Sequence, residues 1–453
     1  MTLLPTSSSN SVSTTGDAIL LGDRSGSVPG FGFNASRLEP GGSEPVLYSG
    51  PHLATIAPTG AGKGVSCAIP TLLQYLGACV VIDVKGELYR TTSRRRRELG
   101  QTVIRLDPFR LIQPDTDGLN PLDIFQLSGA DVDTDTQSLA RILSSGKGFS
   151  RDPFWELSAN GLNSGVLGYI VSCEPAEKRT LGRLIEIVYG EDPVYGLAVV
   201  LDTMKAKMPK MAYQEIAAFL QQPDRETRPS TLATAHSFLK NLNSARVLEA
   251  LSQSTFSLEE FRDGAPLTIY LVIPPDRLVS HSALLTLWIG TLLKAVFGRE
   301  HQPQHRTLFL VDEAAQLGHF PLLESAITLA RSYGVRVWTF WQDVQQLQSS
   351  FPVGWRTLLN NSALQVFGVS SRLMARELEA IMDCTAEELL DLAPDEQLLQ
   401  LGGGVTRSRR LNYLLDPRFQ GMFDANPFYG QPDIPSPANP ELRRDDEPSG
   451  PRL

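Results

Sequence analysis

From about Val46 onward, short apolar runs alternate with longer amphipathic stretches. Seven of the runs read as strands: Ala78 to Asp83, Thr102 to Asp107, Pro266 to Ile273, Thr307 to Asp312, Val335 to Trp341, Ala363 to Gly368 and Gln397 to Leu401. Most place apolar residues at successive positions, as strands buried on both faces do. Strands interleaved with helical stretches predict an α/β fold with a mainly parallel sheet covered on both sides. The alternation stops between about Gln126 and Arg262, where helical stretches such as Leu162 to Ser172, Leu181 to Tyr189 and Tyr213 to Gln222 dominate. The expected organisation is a loose Ser/Thr-rich arm over residues 1–44, the first part of the core over 45–125 and an all-α insertion over 126–262. The second part of the core then spans 263–425, and a Pro-rich disordered tail spans 426–453.

Composition narrows this picture. A chain of 453 residues, 42% apolar and 20% charged, is long enough for two or three packed units. A net charge of -9 gives no general affinity for phosphate backbones, so contact with nucleic acid would need a local basic lining. Arg94 to Arg97 are the densest such run, and a solvated helix face is the favoured reading of it. Arg407, Arg409 and Arg410, beside Gly402 to Gly404, read as a mobile surface loop. Cys67, Cys79, Cys173 and Cys384 have no metal-ligand spacing, and no disulfide or structural zinc is expected. The N-terminus lacks the basic and apolar regions of a secretory signal, and Ala283 to Phe297 is too short an apolar run to span a bilayer. The expectation is a cytoplasmic protein.

The sharpest chemical signal is Ala57-Pro58-Thr59-Gly60-Ala61-Gly62-Lys63-Gly64, placed where a strand ends and a helix begins. A phosphate needs inward backbone N–H groups, a helix N-terminus behind them and a flexible ammonium. Thr59, Gly60, Ala61, Gly62, Lys63, Gly64 and Val65 are the candidate nucleotide-binding positions, with ATP and Mg2+ as the cofactors. Ala57 stands where a first glycine is usual, and Gly64 replaces the Ser/Thr whose hydroxyl holds magnesium, which leaves Ser66 or a water to substitute. The run Leu308 to Glu313 is an apolar strand ending in two carboxylates, with Asp312 assigned to magnesium through water and Glu313 to the attacking water. Alone, such a pair would equally suit a helix cap. Gln342, after the strand Val335 to Trp341, is the candidate γ-phosphate sensor, with a loop-bonded glutamine as its alternative.

APTGAGKGVSCAIPTLL, VVIDVKGELYR, DPFW at Asp152 to Trp155, and LVDEAAQLGHFPLLESAITLARSYGVRVWTFWQDVQQL together resemble type IV secretion coupling proteins. The TraG and TraD proteins of conjugation belong to this group, and the likeness runs in order over most of Val46 to Gly368. It implies a RecA-like homo-hexameric ATPase with an inserted all-α domain, delivering a DNA–relaxase complex or protein substrates to type IV secretion subunits. It also implies that Asp83 to Glu87 lie near the nucleotide, and that an arginine finger, with Arg331, Arg356 and Arg372 as candidates, comes from a neighbouring subunit. Family members usually begin with transmembrane helices; none is read here, so peripheral association at the cytoplasmic face of the inner membrane is expected. A recruitment platform without translocase activity and a DNA pump of the FtsK/HerA kind are the alternatives.

Overall fold

The computed structural model describes residues 16–24, 44–145 and 153–428. Among them, eleven strands join in one sheet: β1 (Ile19–Arg24), β2 (Glu44–Tyr48), β3 (His52–Ile56), β4 (Cys79–Asp83), β5 (Thr102–Leu106), β6 (Leu267–Val272), β7 (Thr307–Val311), β8 (Val335–Trp341), β9 (Ser362–Val366), β10 (Glu396–Gln400) and β11 (Val405–Arg410). Their spatial order is β2-β1-β11-β10-β9-β3-β8-β7-β4-β6-β5. Every neighbouring pair from β9 to β5 is parallel, whereas β10, β11, β1 and β2 extend the sheet antiparallel. Each run read as a strand from the sequence is one, but β10 belongs to the antiparallel extension.

Successive residues of the parallel strands feed opposite faces, as the two-residue period requires. In β7, Leu308 and Leu310 join one apolar cluster while Phe309 and Val311 join the other. The second of these clusters continues from the sheet into the helices between β5 and β6, where Leu162, Val166 and Ile216 pack. Through it runs the helix Ser282–Phe297, buried from Leu284 to Leu293 and again at Ala295 and Val296. Its apolar sequence is thus that of an internal helix, and Lys294 is paired with Asp135 at 2.6 Å. Among the described residues, no helix is long and apolar enough to cross a membrane.

Between β5 and β6 the described elements are helical: Val132–Ser144, Pro153–Cys173, Leu181–Val188, Pro193–Met204, Lys210–Leu220, Thr227–Leu239 and the shorter Ala245–Ala250 and Leu258–Asp263, with short 3-10 turns. Helix starts carry the side chains that such ends need. Thr180, Asp192, Ser244 and Ser257 each accept from a backbone N–H of the first turn. Pro153–Cys173 presses on Lys210–Leu220 through glycines; a Cβ on Gly168 would lie 2.7 Å from that of Ala212. Pro153 to Trp155 open the longer helix, while Asp152 of the same motif lies outside the described residues.

Three expectations change. Residues of the expected loose arm form β1, because Ile19, Leu20 and Leu21 are buried, Ile19, Leu20 and Gly22 to Arg24 pair with β2, and Gly22 and Asp23 also pair with β11. Their apolar signal is too short to stand out in a Ser/Thr-rich stretch. The arginine run is not a solvated face: Arg96 is fully buried, bonding Thr268 Oγ1 at 2.8 Å, the carbonyls of Leu72 at 3.1 Å and Gly77 at 3.0 Å, and that of Tyr75. Arg94 pairs with Asp424 and Glu98, and Arg95 with Glu98. Gly402 to Gly404 make the β10–β11 turn, and Arg407, Arg409 and Arg410 lie in β11 rather than in a loop. Of the Pro-rich tail, residues 429–453 lie outside the described residues; Asn426 is buried.

Candidate nucleotide-binding site

The parallel strands deliver their C-terminal ends side by side. In register, Ile56 faces both Trp341 and Val366, and Val311 faces Thr339. The residues that follow β3, β8 and β7 therefore meet at one edge: Ala57 to Gly64, Gln342 and Asp312-Glu313. This edge, where loops leave parallel strands, is where ligands bind in such sheets.

The loop after β3 turns through Gly60 and Gly62, at φ +80 and +90, a backbone region that glycine adopts without a Cβ clash. A Cβ on Gly60 would meet nothing within 4 Å, so the loop mouth is open. Thr59 and Gly60 are exposed at its tip. The ammonium of Lys63 donates to the carbonyls of Ala57 at 2.9 Å and Pro58 at 3.4 Å. Behind it the chain makes a widened helical turn, Gly64–Ala68, and continues as Ile69–Leu72. Pro70 explains the widening: it has no N–H for the carbonyl of Ser66, and the turn instead closes from Ile69 N–H to the Gly64 carbonyl. Ser66 is buried, its Oγ 3.8 Å from where a Cβ on Gly62 would stand. Val65 is buried, and its carbonyl accepts from Tyr413 N–H at 3.4 Å.

Across the cleft, Glu313 sits at φ +51, a strained conformation for a residue with a side chain. Its carboxylate accepts from Gln342 Nε2 at 3.2 Å. Asp312 is pushed up to about 6, chiefly by desolvation and next by the charge of Glu313, with Lys63 acting in the opposite direction. Asp83 at the end of β4 is pushed up to about 7 by burial, and its carboxylate accepts from Tyr89 N–H at 2.8 Å. Lys63, Asp312, Glu313 and Gln342 are thus brought to one cleft from three strand ends. Arg331, Arg356 and Arg372 are all exposed.

Arg410 is the residue sequence reasoning missed. From the end of β11 its guanidinium donates to the Ala61 carbonyl at 2.6 Å and to that of Pro394, and stacks on Phe367 at 4.4 Å. Nothing in VTRSRR signals this, because the contact spans some 350 positions. The oxygen donors fit a magnesium-bound nucleotide: an acid at the tip of β7 and a second acid beside it, facing a glycine-lined opening and an ammonium.

The pattern described for "Type IV secretory system Conjugative DNA transfer" matches residues 17–374. The chain belongs to this family. Among its relatives, this family member is 30% identical over 329 residues to Protein VirD4 of Agrobacterium fabrum, covering 70% of this chain and 47% of that protein. It is 25% identical to the conjugal transfer protein TraG of Escherichia coli, covering 67% of this chain and 50% of that protein. The chain spans about half the length of these relatives. Among solved structures, the conjugative coupling protein TrwBdeltaN70 aligns with TM-score 0.61 at 15% identity, over 82% of this chain and 87% of that one. TrwB in complex with ADP and Mg2+ aligns with TM-score 0.60 at 15% identity, over 79% and 84%. The fold of this type IV family member is therefore the RecA-like α/β fold with inserted helices, as the sequence predicts.

Proposed function

We propose that the chain is an ATP-hydrolysing motor that recruits DNA or protein substrates and helps move them into a type IV secretion channel. The observation that carries this reading is the Gln342–Glu313 hydrogen bond at the mouth of the Gly60–Lys63 loop. It joins the candidate phosphate sensor to the candidate for acting on water. In this reading the N–H groups of Gly60 to Val65 and the Lys63 ammonium bind the phosphates. Asp312, with Ser66 as a further candidate, faces a magnesium ion, which when bound neutralises phosphate charge. Glu313 orients the attacking water and takes its proton, and Gln342 holds Glu313 in place. The motor acts as a homo-hexamer at the cytoplasmic face of the inner membrane, docked on secretion subunits, with an arginine from the neighbouring subunit completing each site. Family membership supports the transfer role, and the relative TraG is named a conjugal transfer protein.

Gly64 favours a second reading, a nucleotide-binding recruitment platform, since it lacks the hydroxyl expected there. Steady-state ATP hydrolysis with and without single-stranded and duplex DNA separates the two. For the motor, Lys63→Ala and Glu313→Gln should each lower turnover by 10²-fold or more. Unchanged turnover in both variants would overturn the assigned mechanism, and tight ATP binding without any turnover would favour the platform.

A further inference from the structure

Position 64 has no side chain to offer, yet the space beside it is not vacant. The atom nearest to where a Cβ on Gly64 would stand is Glu87 Oε1, 3.5 Å away. A Ser or Thr hydroxyl at this position would point into the volume that this carboxylate borders. Glu87 is the first residue of the helix Glu87–Glu98, and it is held in place: Asn426 Nδ2 donates to the same Oε1 at 2.8 Å and to Tyr413 Oη at 3.0 Å. Its charge reaches the other acids of the cleft, adding to the burial that raises Asp83 and Asp312. An acid in the first turn of a helix is ordinarily explained by the helix dipole. That explanation does not account for a buried asparagine turning the carboxylate toward the phosphate loop.

The geometry points to Glu87 as the oxygen donor that replaces the absent hydroxyl of position 64 toward the magnesium of a bound nucleotide. Magnesium is hard, prefers oxygen, and is commonly held through one or two carboxylates with its remaining positions filled by waters and phosphates. Glu87 and Asp312 would be such a pair, with Asn426 a positioning residue for the first of them. The inference rests on the nucleotide-binding reading above and deepens it.

The test is binding of a fluorescent ATP analogue to the purified chain, measured with Mg2+ and with EDTA. Glu87→Gln keeps the acceptor for Asn426 and removes the charge. Gly64→Ser is sterically open, since the nearest atom is in ordinary contact range. In the wild type, magnesium should tighten binding. Glu87→Gln should lose roughly tenfold or more of that tightening, with its EDTA affinity unchanged, and adding Gly64→Ser should restore it. Equal tightening in Glu87→Gln and wild type overturns the inference while leaving the nucleotide site intact. So does an equal loss with and without magnesium, or a Gly64→Ser background that restores nothing. A wild type that binds no nucleotide under either condition overturns the underlying reading, and the inference with it.

Discussion

Arg410 and His52 carry the most informative single-residue consequences. Lysine in place of Arg410 keeps the charge but cannot reach the Ala61 and Pro394 carbonyls together while resting over the Phe367 ring. A lost hydrogen bond from a charged donor costs about 1.5–3 kcal/mol, so Arg410→Lys should lower the melting temperature by a few degrees and, by freeing the Ala61 carbonyl, weaken nucleotide binding about tenfold. Wild-type affinity in that variant would show that the loop holds its shape without it. His52 is buried in β3 with Nδ1 accepting from Val337 N–H at 3.1 Å. Burial, then the charge of Arg336, holds it down to about 4. Its folded pKa lies below the unfolded one, so the folded state resists protonation; the stability tied to neutral His52 is full above about pH 6.5 and is lost as pH falls toward 4. His52→Asn keeps an acceptor and removes the titration. The stability advantage of wild type over this variant, read by urea unfolding, should shrink by up to about 3 kcal/mol between pH 7 and pH 4. Asp83 does not confound this difference, being common to both proteins.

Residues that act from the end of their own strand could be read from the sequence; residues that act across the chain could not. Lys63, Asp312, Glu313 and Gln342 each follow an apolar run that announces itself. Arg410 matters because of Ala61, and only the fold makes that pair neighbours; the resemblance places Glu87 near the nucleotide, but its position beside Gly64 also comes from the fold alone. The same division holds for elements. β4 to β9 are largely buried and read as apolar runs, as does β10 at the start of the antiparallel extension, whereas β1, β2 and β11 in that extension do not, β11 (VTRSRR) having Val405 as its single apolar residue. The helical stretch between β5 and β6 was visible as a loss of alternation, but not its close packing. That packing makes a paired prediction. Gly168→Leu forces a side chain against Ala212 and should cost about 1–3 kcal/mol or more. Gly196→Ala, on the exposed side of Pro193–Met204 with nothing within 4 Å, should gain about 0.5–1 kcal/mol. Denaturant midpoints of the two variants shifting in the same direction would contradict the packing described.

At the scale of the molecule, the sheet is closed by residues far apart in sequence. Arg418 donates to both carboxylate oxygens of Asp23, at 2.9 and 2.6 Å, and also to Asp416. Asp23 is nearly buried, so Asp23→Ala leaves a guanidinium with half its partners and unpins β1. A loss of about 2 kcal/mol is expected, below the full cost of breaking a buried pair because Asp416 remains. A melting temperature within 1 °C of wild type, on the order of what a neutral surface change gives, would show that β1 is held by its apolar residues alone. Lastly, the helix Glu87–Glu98 touches the segment behind the phosphate loop twice. Its first residue stands beside Gly64, and Arg96 grips the carbonyls of Leu72, Tyr75 and Gly77 at the segment's other end. The helix is a beam and the segment a short rod: the beam is bolted to the rod at the far end and stands against it at the near one. The loop's supporting helix can shift only if this crossbeam shifts with it.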